Sequence, residues 1–296
     1  MTSLSDIHDK VDAGQALTRD EAARVAQTPE LSAVGALGER ARKALHGDRV
    51  TFVRVCESGT DPAGERGEAG EVRLVGAPES VDQVRARVRE AVQLAPGVPL
   101  TGFSLSHLAR LVQGDHLALA DLALALRHEG LEAVAEAVLD DLSEVENAVE
   151  MIRALAHGGL GVWRATVRRA AFADRLGLID RAVLLQRETG AFKSFAPLPQ
   201  QDPSDQPATG YDDVRTIAIA RLMCRSIPSI QVDWPLYGPK LAQVAIAYGA
   251  DDIDRVAAVG SGDLGRRRAP REEIERHIRM AFAEPVERDG RYETHA

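Results

Sequence analysis

Short apolar, β-branched runs alternate along this chain with helix-length amphipathic stretches, and that alternation restricts the fold more than any other feature. "RVTFVRV" (49–55), "EVRLVG" (71–76), "VPLTGFS" (98–104), "LGVWRATVR" (160–168), "AFKSFAPLP" (191–199) and "SIQVDWPLYG" (229–238) read as strands. Helical patterns fill the gaps at 80–95, 144–159, 178–190, 213–227 and 240–250, with a last one at 271–282. "EAVAEAVLD" (132–140) fits a weak strand or a helical turn. Crossovers of this length allow neighbouring strands to pair in parallel, which indicates an α/β fold. About seven or eight units fit a TIM-type (βα) barrel. A doubly wound sheet is the alternative, but "LVGAPES" (74–80) lacks the GxGxxG glycines and the chain has no P-loop. Residues 1–48 read as an N-terminal helical extension, where Thr18 and Glu21 form a capping-box pattern. Residues 49–296 read as the barrel with a C-terminal helix.

A barrel places ligand chemistry at the C-terminal ends of its strands. That predicts Cys56, Gly76, Ser104, Arg168, Pro199 and Trp234 near one rim. Lys and Arg number 36 against 45 Asp and Glu, a net charge of −9, which argues against a nucleic-acid partner. The charges are interspersed and read as a solvated surface. No apolar run approaches the ~18 residues that span a bilayer, and "MTSLSDIHDKVDAGQAL" has no signal-peptide pattern. No membrane association and a cytoplasmic location are therefore expected. Cys56 and Cys224 are far apart, so no disulfide framework is expected, and Cys224 reads as core packing. The eight histidines show no ligand spacing, and no metal site is expected. No arrangement of residues singles out a catalytic group.

"QRETGAFKSFAPLP", "YDDVRTIAIARLMCRSIPSIQVDWPLYGPKLAQVAIAYGADDID" and "EPVERDGRY" resemble the C-terminal half of the radical S-adenosylmethionine enzymes of menaquinone biosynthesis by the futalosine pathway. Aminofutalosine synthase and dehypoxanthine futalosine cyclase are the members most like it. "KVDAGQALTRDEAARV" and "ALHGDRVTF" resemble that family's lead-in to its first strand. The resemblance is specific over 186–254 and loose over 56–140. It implies a radical S-adenosylmethionine barrel with a CxxxCxxC loop after strand one, whose three thiolates hold a [4Fe–4S] cluster. Here that loop reads "CESGTDPAGERGEAG" (56–70), with one cysteine. The family's Gly-Gly step is Gly76-Ala77, its glycine-rich segment after strand four is "EAVAEAVLD", and its strand-five end is "VRRAAF" (167–172). Against that pattern, neither an iron–sulfur cluster nor S-adenosylmethionine is expected as a cofactor.

The expected function is a menaquinone-pathway protein that binds a small carboxylate or nucleoside at the rim without radical chemistry. The alternative is a non-catalytic pseudoenzyme that regulates or stabilises an active radical S-adenosylmethionine paralogue. Whether the chain is an enzyme stays open. Trp234 offers a stacking face at the end of its strand, with Gln231 and Asp233 on the opposite face of that strand. Asp251 and Asp252 stand where the family has an Asn-Asp pair, suited to ribose hydroxyls or to capping a following helix. Arg164, Arg168 and Arg169 supply fixed positive charge for a carboxylate.

Overall fold

A computed structural model describes residues 4–58, 68–142, 144–201, 209–258 and 270–294. The chain starts with α1 (Ser5–Asp12), α2 (Arg19–Gln27) and α3 (Leu31–His46), then enters β1 (Arg49–Ser58). Next come β2 (Glu71–Leu74), α4 (Val81–Leu94), β3 (Leu100–Ser104), α5 (Leu105–Leu111), α6 (His116–Glu129) and β4 (Ala133–Val138). They are followed by α7 (Val145–His157), β5 (Gly161–Val162), β6 (Arg164–Val167), α8 (Phe172–Thr189) and β7 (Ser194–Pro197). The last elements are α9 (Gly210–Met223), β8 (Ser229–Asp233), α10 (Trp234–Ala247), β9 (Asp252–Ala257), α11 (Pro270–Met280) and β10 (Glu284–Glu287).

Eight of these strands close a parallel barrel in the order β1-β2-β3-β4-β6-β7-β8-β9, with β9 returning to β1. Thr51 stands opposite Asp252 and Val55 opposite Ala257 at the seam. The expected TIM-type (βα) barrel is the fold. Its apolar core lies between the sheet and the surrounding helices. Most of the bulk of "EAVAEAVLD" is strand β4, and "LGVWRATVR" divides at Trp163 into β5 and β6. Most of the 56–70 loop lies outside the described residues. Among the described residues, no helix is long and apolar enough to cross a membrane.

Two stretches differ from the sequence reading. The expected strand 229–238 ends at Asp233, and Trp234 opens a helix. Asp233 is its N-cap, accepting from the Leu236 amide at 3.0 Å, and Pro235 sits in the first turn, where its missing N–H is harmless. A break at Gly238, with φ at 69°, divides this helix before Pro239. Asp251 and Asp252 do not cap a helix: Asp252 starts β9, the strand that closes the barrel.

Helices α1–α3 lie against the outer helix layer of the barrel, mainly on α9. Thr18 and Glu21 make the capping box reciprocally. Arg215 of α9 donates to the carbonyls of Val25, Ala26 and Thr28 at 2.6–3.3 Å, fastening the end of α2. α3 approaches so closely at Gly38 that a Cβ there would lie 2.1 Å from the Tyr248 carbonyl oxygen.

The opposite end of the chain closes the floor of the barrel, at the N-terminal ends of its strands. β10 pairs in parallel with the first part of β1, Arg49 opposite Glu284 and Phe52 opposite Glu287. Arg288 then makes a bidentate pair with Asp252 at 2.7 Å. Its guanidinium lies 4.0 Å from the centre of the Tyr292 ring, and the Tyr292 hydroxyl is 2.6 Å from Ser194 Oγ. Arg291 reaches Glu132 with two contacts of 2.6 Å.

Candidate functional site: the barrel mouth

Inside the strands the barrel is polar, where this architecture usually stacks branched aliphatic side chains. Strand alternation puts Glu71 and Arg73 of β2, Glu136 of β4, Arg164 and Thr166 of β6, Gln231 and Asp233 of β8, and Asp252 and Asp254 of β9 inside, all buried. Such charges persist in a dry interior only when paired and hydrogen-bonded.

The pairing forms levels. On the floor, Asp252 accepts from Arg288, from Thr51 Oγ1 at 2.5 Å and from Gln231 Nε2 at 2.6 Å. In the middle, Arg73 donates to both Asp254 oxygens at 2.8 and 2.9 Å and to both Glu71 oxygens at the same distances. Arg164 also pairs with Asp254. Burial opposes the charge on Asp254, but Arg73 and Arg164 outweigh it and hold its carboxyl well below the usual range. Toward the C-terminal ends, Glu136 accepts from Thr166 at 3.0 Å and from Arg168 Nε at 3.2 Å. Burial again opposes its charge, and Arg164 and Arg168 bring its carboxyl below the ordinary value.

Above these levels the barrel opens into a cavity of about 320 Å³, lined by Arg73, Arg164, Arg168 and Arg255 among others. Arg255 bridges Asp233 at 3.0 Å and Glu57 at 3.1 Å. Burial raises the Asp233 carboxyl above its ordinary value in spite of Arg255. His107, at the same wall, is held toward the neutral form by burial and by Arg110. The Nε of Arg164 and the Nδ1 of His107 are buried with no hydrogen-bond partner among the described residues. Phe103 (φ 61°) and Arg255 (φ 58°), two of the cavity's lining residues, hold a left-handed backbone that ordinary side chains avoid. Strain of that kind costs of order 1–3 kcal/mol per residue and tends to gather at ligand sites.

The sequence-predicted residues separate into three groups. Arg164 and Arg168 line the mouth, with Gly76, Ser104 and Asp233, while Gln231 lies below in the network. Trp234 does not line the mouth: its ring stands edge-on to His277 of α11, centroids 5.4 Å apart. Asp251 and Asp252 are at the wrong end for a rim carboxylate, because they precede and begin β9. Asp251 is tied to Arg221 and accepts from the Ile230 amide at 2.8 Å. Arg169 pairs with Asp141 near the surface. The sequence reading missed Arg73, Glu136, Asp254 and Arg255. For Arg73 and Asp254 the available signal was charge at every second residue, Glu71 and Arg73 in "EVRL" and Asp252 and Asp254 in "DIDRV".

A [4Fe–4S] cluster in a CxxxCxxC loop needs three thiolates, and the chain has two cysteines. Cys224 follows α9 in the helix layer, fully buried, its thiol pushed up to about 12 by burial. The donor set does not fit such a cluster.

No protein-family model matches the chain. The aminodeoxyfutalosine synthase of Thermus thermophilus is 30% identical, over 69% of this chain and 63% of that protein, so the chain spans less than two thirds of that relative. The Streptomyces coelicolor enzyme of the same name is 26% identical, with 97% of this chain and 93% of that protein covered. A 5-amino-6-(D-ribitylamino)uracil–L-tyrosine 4-hydroxyphenyl transferase of Methanothermobacter thermautotrophicus is 37% identical over 36% of this chain and 34% of its own. Among solved structures, methylornithine synthase (PylB) superposes with a TM-score of 0.68 at 13% identity, covering 94% of this chain and 96% of that one. The hydrogenase maturase HydG of Carboxydothermus hydrogenoformans gives 0.66 at 12% identity, covering 96% and 79%. At those identities the structures speak to the barrel alone, while the sequence matches carry the kinship. The chain is a relative of the radical S-adenosylmethionine enzymes of the futalosine pathway.

Proposed function

We propose that the chain is a futalosine-pathway protein that holds a small carboxylate-bearing ligand, free or attached to a nucleoside, in the barrel mouth without radical chemistry. The observation that carries this reading is the Arg164–Arg168 pair. Both guanidinium groups line the cavity, Arg164 is buried, and its Nε has no partner among the described residues. A ligand carboxylate supplies the missing acceptor, and the guanidinium fork suits it geometrically. Glu136 and Asp254 keep the two arginines fixed in place. His107 and Ser104 add neutral polar groups for a ligand's hydroxyls. Cluster-independent operation is supported by the two-cysteine count and the burial of Cys224.

Calorimetry with the carboxyvinyl benzoate precursor and with futalosine-type nucleosides tests the reading. The side chain of Arg168 is one-third exposed, at 33%, so Arg168→Ala should leave the fold in place. It removes a charged hydrogen bond worth about 1.5–3 kcal/mol, which is roughly a 10- to 150-fold loss of affinity. If neither ligand class binds the parent protein, or if Arg168→Ala binds as well as the parent, the mouth is not the site.

A further inference from the structure

A second cavity, of about 310 Å³, lies on the outer wall between α2 and the α8–α9 pair and shares no lining residue with the mouth. Ala23, Ala26, Leu176, Ile179 and Ile219 give it an apolar sleeve, and Arg175 stands in the same wall. Arg175 is only 2% exposed. Its Nε donates to the Ala170 carbonyl at 3.1 Å, but Nη1 and Nη2 are buried with no hydrogen-bond partner among the described residues. Asp213 of α9 is near enough for the two charges to interact. Its Oδ1 is itself buried and without a partner, so the two side chains do not satisfy one another.

Two unpaired guanidinium amines in an apolar wall are an unstable arrangement unless something accepts from them. A carboxylate matches that fork with two parallel bonds, and the sleeve beside it offers apolar contact to whatever the carboxylate carries. The geometry points to a binding site for a medium-chain carboxylate, its head on Arg175 and its alkyl tail along the groove between α2, α8 and α9. The volume is within the range of small-ligand sites. This inference does not rest on the mouth or on the pathway reading.

The test is a calorimetric titration of the full chain with octanoate, beside the neutral isostere octanol. Saturable one-to-one uptake of octanoate is expected, with octanol at least about tenfold weaker, a margin within the reach of one charged hydrogen bond. Arg175→Gln should weaken octanoate at least about tenfold. Ala26→Phe, which leaves Arg175 in place and fills the sleeve, should abolish uptake. Asp213→Asn should bind octanoate at least as tightly as the parent, because a competing charge is gone. Arg168→Ala should take up octanoate unchanged, which separates this site from the mouth. Equal binding of octanol, uptake indifferent to both Arg175→Gln and Ala26→Phe, or no saturable uptake up to about 10 mM would overturn the proposal.

Discussion

Replacing Asp254 by asparagine removes a charge that two buried guanidinium groups share. Arg73 reaches both of its oxygens at 2.8 and 2.9 Å, Arg164 meets it from β6, and the carboxylate has no exposure at all. Asparagine preserves shape and part of the hydrogen bonding but leaves Arg73 with Glu71 alone and Arg164 short of its main counter-charge. Breaking a buried pair from one side costs about 3–5 kcal/mol, because the stranded charge stays out of water. At about 2–4 °C per kcal/mol, Asp254→Asn should melt roughly 6–20 °C below the parent near pH 7. The pH dependence has a fixed sign. The folded-state pKa of Asp254 is depressed, so its contribution is present above the ordinary carboxylate value of 3.8 and is lost as pH falls below it. The gap between parent and variant should therefore narrow in acid. Glu132→Gln is the control, since it breaks a pair with Arg291, whose side chain is 38% exposed, and should cost under about 1 kcal/mol. Scanning calorimetry of all three proteins at pH 7 and at about pH 2.5, below the ordinary carboxylate value, decides it. Equal losses for Asp254→Asn and Glu132→Gln, or a gap that widens in acid, would refute the desolvation argument.

Gly38→Ala should destabilise the whole domain by about 1–3 kcal/mol, seen as a lower denaturant midpoint, because the new methyl meets the Tyr248 carbonyl. Local fraying of the N-terminal helices with an unchanged barrel transition would contradict it. Burial lifts the Asp213 carboxyl to about 6, so its ionisation works against the fold as pH rises through that value. Asp213→Asn should thus add up to roughly 2 kcal/mol at pH 8, discounted for partial contact with water, and little at pH 4. Anaerobic reconstitution with iron and sulfide should give no stoichiometric [4Fe–4S] absorption, and cluster uptake that survives Cys56→Ala would reveal ligands other than thiolates.

The barrel was legible because its early strands are apolar and β-branched, as β1 is in "RVTFVRV". β9 was not, since "DIDRVA" carries three charged residues and looks like a solvated turn. Its aspartates face the inside of a barrel whose interior is ionic, so the rule that buried parallel strands are apolar fails there. The same fact hid Arg73 and Glu136, which were read as surface charge. Trp234 was misplaced although Asp233 followed by Pro235 is a helix-start pattern; the apolar run across it suggested a longer strand. Arg164 and Arg168 stood out in the sequence as fixed positive charge at the end of a strand, and the structure places both against the cavity. How they interlock with Asp254 and Glu136, from three different strands, is a matter of closure that no local window contains.

The floor also constrains how the protein is made. β1 pairs with β9 and β10, and Asp252 meets its arginine only when Arg288 arrives. The first strand of the barrel thus waits for residues more than 200 positions later, since β1 starts at Arg49 and β9 at Asp252. At about 5–20 residues per second, the stretch from Asp252 to Tyr292 takes roughly 2–8 seconds to synthesise. During that interval β1 lacks its β10 neighbour and the Asp252 carboxylate lacks its arginine. Sequence-distant pairing of this kind slows folding. A nascent chain of this protein should therefore depend on chaperone cover until β10 and Arg288 emerge, and a ribosome stall placed shortly before Arg288 should yield aggregation-prone intermediates.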